Sequence, residues 1–116
     1  MSNDEKRQKP DGQEIPLGIL ERFTLLQSMQ EKSDRLTMIV VESVLHATAL
    51  TPAENKKWNV VRVDNQWQWS PEGAAAQTPI HYSDTQLSVI RERLRALNDA
   101  KEITIQLLTV LEKFSV

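Results

Sequence analysis

The sequence predicts a mainly α-helical fold: an antiparallel hairpin of two long helices with a short β-hairpin and loop inserted between them, dimerising into a four-helix bundle. Three observations lead there. Residues 17–50 and 84–114 repeat apolar side chains at steps of three or four, the helical period. The stretch between them holds all three tryptophans. Residues 36–45 and 103–111 are apolar over more than one face, and a single helix pair would leave that surface in water.

Residues 1–15 carry few apolar side chains and include Pro10 and Gly12, so they are expected to form a disordered tail ahead of a single helical domain over 16–116. From Pro16, a good first-turn residue, the first stripe runs through Ile19, Phe23, Leu26, Met29, Ser33, Leu36, Val40 and Val44, predicting a helix over 17–50. Ser33 and Asp34 compete for backbone hydrogen bonds and mark its expected interruption.

Residues 51–82 read as ribbon and connector. Thr51-Pro52-Ala53-Glu54 has the reciprocal pattern of a capping box and opens a short helix. Next come WNVVRV, Asp64-Asn65 and QWQWS: two β-forming runs around two residues that tolerate positive φ, hence a two-residue hairpin turn. That turn pairs Val63 with Gln66, Arg62 with Trp67 and Val60 with Trp69. It places Trp58, Val60, Arg62, Trp67 and Trp69 on one face, with Arg62 able to stack on Trp67. Ser83 and Gln86 form the clearest cap in the chain and start the second helix, 84–114. Its stripe is Leu87, Ile90, Leu94, Leu97, Ile105, Leu108, Leu111 and Phe114, with Asn98-Asp99 as an expected kink. The segment 103–111 is rich in β-formers, but its length and the continuing stripe favour helix.

For function, composition excludes more than it assigns. A formal charge of -2 disfavours a surface built wholly to trap phosphates, and the absence of cysteine removes disulfides, thiolate metal sites and cysteine nucleophiles. The longest wholly apolar run, Met38 to Val41, is too short to span a bilayer, and the first residues lack a secretory apolar stretch, so a cytoplasmic protein without membrane contact is expected. Glu42 and His46 have i, i+4 spacing and His81 could add a third ligand, yet a solvated pair is the simpler reading; no metal or cofactor is expected. No glycine-bearing nucleophile elbow or phosphate loop surrounds the three isolated glycines, so no catalytic residues are assigned.

The expectation is a non-catalytic protein-protein interaction module, a small adaptor, regulator or chaperone-like homodimer. It would contact another protein through Trp58, Arg62, Trp67 and Trp69. Phe23, Leu26, Leu36, Val40, Val44, Leu87, Ile90, Leu94, Leu97, Ile105, Leu108 and Leu111 are assigned to its core and dimer contact. The alternative is a nucleic-acid-binding regulator using Arg91, Arg93 and Arg95 with Lys56, Lys57 and Arg62; the interspersed acids weigh against it.

Overall fold

The computed structural model describes residues 11–116; the part of the expected tail at 1–10 lies outside them. The elements are β1 (Gln13–Leu17), α1 (Ile19–Ser28), α2 (Arg35–Thr48), α3 (Pro52–Lys57), β2 (Val61–Val63), β3 (Gln66–Gln68), α4 (Pro71–Ala75), β4 (Thr78–Tyr82), α5 (Asp84–Asp99) and α6 (Ile105–Lys113). This mixed α/β arrangement replaces the expected hairpin of two long helices and its four-helix bundle. Each expected rod is two helices, separated at 29–34 and 100–104, with α1 packed on α6 and α2 on α5.

The chain is closed by a pairing that the tail reading missed. β1 and β4 form an antiparallel ladder with Ile15 opposite Ile80 and Pro16 opposite Pro79. Proline has no N–H to donate, so two facing prolines suit a non-hydrogen-bonded pair, leaving the ladder bonds to their neighbours. The alternation buries Ile15, Leu17, Ile80 and Tyr82 against the helices. Gly12 is needed just before β1: its φ is +85°, and an added Cβ would lie 1.9 Å from the Tyr82 carbonyl oxygen. The Gly12 amide donates to Asp84 Oδ1, and the Asp84 amide donates to Asp11 Oδ1, fixing this end to the start of α5.

The helix starts follow the local chemistry. Asp34 caps α2 by accepting from the Thr37 amide. Reciprocal capping boxes at Thr51/Glu54 and Ser83/Gln86 start α3 and α5. The expected kink at Asn98-Asp99 is a full stop: Lys101 N–H donates to the Asn98 carbonyl and Glu102 N–H to that of Leu97, a Schellman ending with Lys101 at φ +60°. Asn59 and Ser115 end α3 and α6 in the same way, at φ 51° and 60°. Residues 105–113 are helical, with Thr104 at the N-cap position.

Rotation of the short helices corrects several core assignments. α5 buries Leu87, Ile90, Leu94 and Leu97, as its stripe predicts. The other faces are offset by one residue, about 100° at 3.6 residues per turn. α1 buries Ile19, Arg22 and Leu25 while Phe23 and Leu26 are half-buried. α2 buries Val41, Val44 and Thr48, leaving Val40 half-buried and Leu36 75% exposed. α6 buries Leu107 and Val110, leaving Leu111 half-buried, and Ile105 and Leu108 in solvent at 83% and 57%. In α6 both neighbouring stripes are apolar, so the partner helix decides which one turns inward, whereas α1 turns inward the stripe that carries Arg22.

A buried arginine ties these pieces together. Arg22, 3% exposed, donates from Nε to the Thr48 carbonyl at 2.9 Å and from Nη2 to the Ala49 carbonyl at 2.8 Å. Both its terminal nitrogens reach Glu54 at 2.9 Å. It thereby satisfies the end of α2 while pairing with the start of α3. An 18-residue window within residues 35–57 has the apolarity of a membrane span, with mean hydropathy 1.4, but this break limits α2 to about 21 Å at ~1.5 Å per residue, short of a hydrocarbon core of about 30 Å.

Candidate functional site

The hairpin of β2 and β3 turns at Asp64-Asn65, both at positive φ, 50° and 65°, which matches the right-handed twist of its strands. Its register pairs Val61 with Gln68, Arg62 with Trp67 and Val63 with Gln66. The Arg62 and Val63 pairings follow the sequence expectation. The ladder ends before Val60 and Trp69; there the Ser70 amide donates to the Trp58 carbonyl instead.

A two-stranded ribbon needs support, and α1 supplies it. The Phe23 ring stacks on Trp67 at 5.5 Å between centroids with planes 21° apart, and lies 5.8 Å from Trp69. The Arg62 guanidinium carbon sits 5.9 Å from the centre of the Trp67 ring. The three tryptophans thus have different environments. Trp58 is buried with Ile19 and Val60, and packs so closely on α4 that a Cβ at Gly73 would meet its own Cβ at 2.8 Å. It holds the ribbon down, and only 8% of it is exposed. Trp69 is half-buried, while Trp67 remains 47% exposed despite its contacts with Phe23 and Arg62.

Beside Trp67 lies an open groove of about 760 Å³. Leu20, Phe23 and Thr24 of α1 form its floor, Trp67 and Trp69 one wall, and Arg93, Leu97 and Leu107 of α5 and α6 the other. Leu20 is 53% exposed at its edge. Comparison of the chain with protein families, curated proteins and solved structures finds no match. The groove therefore has to be read from its own chemistry. Six aromatic and aliphatic side chains share its lining with six uncharged polar ones, among them Gln27, Gln66 and Gln106, and with the charged Arg93 and Glu102.

The basic residues expected to act together are divided. Arg91 Nε donates to the Phe114 carbonyl at 2.8 Å and Arg93 Nε to the Ser28 carbonyl at 2.7 Å, so both brace helix ends. Arg95, Lys56, Lys57 and Arg62 are exposed, with Lys57 5.6 Å above the Trp58 ring. Among the described residues no group of three His, Cys, Asp or Glu side chains is placed to hold a metal ion.

Charge shifts accompany structural pairs away from the groove. Hydrogen bonds from Arg22 hold the Glu54 carboxyl below its ordinary value, against the opposing effect of burial. Burial pushes Glu21 up, but the Gly18 amide, Lys113 and Thr109 outweigh it and leave the carboxyl lowered. Burial raises the Tyr82 hydroxyl, which bonds Thr48 Oγ1 at 2.6 Å inside the core. Sequence reading missed Arg22, Phe23 as a stacking partner, and Leu20. A basic residue at the helical spacing of Ile19 and Leu25 was the available signal for Arg22.

Proposed function

We propose that this chain is a non-catalytic interaction module that holds an apolar segment of another protein in the groove beside Trp67. The observation supporting this is the state of Trp67 itself: it is half-exposed, yet stacked on Phe23 and within 5.9 Å of the Arg62 guanidinium. A large aromatic already ordered loses little conformational freedom on binding, which is the property of an interface anchor. Leu20 and Phe23 extend the apolar contact, and Arg62 gives it a polar rim.

The test compares proteins that co-purify with the wild-type chain and with Trp67→Ala and Leu20→Asp variants, each checked for native circular dichroism. The reading expects a defined protein on the wild-type chain and its loss from both variants. Equal capture by all three would overturn it. Oligonucleotide binding that weakens steeply with salt and survives in both variants would point to the basic side chains instead.

A further inference from the structure

The most apolar stretch of the chain is also among the least covered. Only 17% of its most apolar window, within residues 35–57, is buried. On the outer side of α2, Leu36 and Ile39 are 75% and 54% exposed, flanked by exposed Arg35 and Glu42. Next to Ile39 runs a second groove, of about 800 Å³, walled by Leu26, Met29, Met38 and Leu45. It lies at the junction of α1 and α2, away from the tryptophans.

We infer that this face is the contact between two copies of the chain, with α2 lying antiparallel on the α2 of the second copy. The charge pattern selects the occupant and the direction. Leu36 and Ile39 are three apart, the spacing of an apolar seam, and Arg35 and Glu42 are seven apart, so they fall on the same side of it. In a parallel symmetric pair every residue is level with its own copy but on the opposite flank of the seam, so Arg35 and Glu42 of one copy would meet neither charge of the other. In an antiparallel pair with Leu36 level with the second copy's Ile39, Arg35 lies only two residues from level with the second copy's Glu42, about 3 Å along the axis at ~1.5 Å per residue. The two-fold axis repeats the match, giving two apolar layers and two opposite-charge pairs. Among the described residues neither Arg35 nor Glu42 is in an ion pair within the chain.

Sedimentation equilibrium on the full chain tests this, reading mass against concentration. The expected mass is twice 13.3 kDa, falling to 13.3 kDa in Ile39→Glu and Leu36→Glu. Those side chains are exposed, so circular dichroism should stay native. Arg35→Glu or Glu42→Arg alone should raise the dissociation constant roughly tenfold by setting like charges together, and the double exchange should restore it. A single-chain mass for the wild type would overturn the inference and leave the face to a different protein. So would a dimer indifferent to Ile39→Glu, or one that the double exchange fails to rescue. None of these outcomes depends on the Trp67 groove.

Discussion

Arg22 is the residue on which the chain's middle turns. Replacing it with alanine would leave the last carbonyls of α2 without their donors and the Glu54 carboxylate, still bonded to the Thr51 amide, without its cation, a loss of about 3–5 kcal/mol. Urea denaturation should report it as a lower midpoint, and Glu54→Gln should cost less because one hydrogen-bond acceptor remains. The same pair sets an acid limit. Glu54 and Glu21 have lowered folded values, so their contributions are fully present above the unfolded value of about 4.5 and drain away as pH falls through the folded one. Thermal midpoints measured downward from pH 6 should therefore fall in that acid range, less steeply in Glu54→Gln. Lys101 offers a change of the opposite sign: it holds a left-handed position that glycine adopts without strain, and Lys101→Gly should stabilise the fold by roughly 0.5–1 kcal/mol in the same assay. The caps at Ser83 and Thr51 and the turn at Asp64-Asn65 were legible in sequence, because each is written in adjacent residues. Arg22 was not, since its partners lie 26 to 32 residues away.

At the scale of elements, the aromatic ribbon divides into a support and an anchor. Trp58→Ala should cost about 3–5 kcal/mol as a buried aromatic loss, whereas Trp67→Ala should cost much less, because nearly half of that ring already meets water. Chemical denaturation of the two variants checks the contrast. Helix type was readable from periodicity, but helix rotation was not where two stripes compete. In α6, Leu107 and Leu108 are equally apolar, and only packing on α1 chooses Leu107. The pairing of β1 with β4 was hidden for another reason. Each strand offers two inward apolar residues, too short a pattern to outweigh a polar, proline-bearing context.

For the whole molecule, the account is of a fold stapled at its ends with two apolar surfaces left open. One is the groove at Trp67; the other is the outer face of α2. They share α1, with Gln27 lining both grooves, but the contact side chains assigned to them differ, Trp67 and Leu20 against Leu36 and Ile39, so losing one should spare the other. Ile39→Glu should abolish self-association while retaining capture at Trp67, and Trp67→Ala should do the reverse. The most direct measurement for the central claim is photo-cross-linking in cells, with a photoreactive phenylalanine analogue at position 67, at position 20, and at position 95 as an exposed control outside the groove. The account predicts one adduct of the same mass from positions 67 and 20 and none from 95. The same adducts from all three positions, or none from 67 and 20, would contradict it.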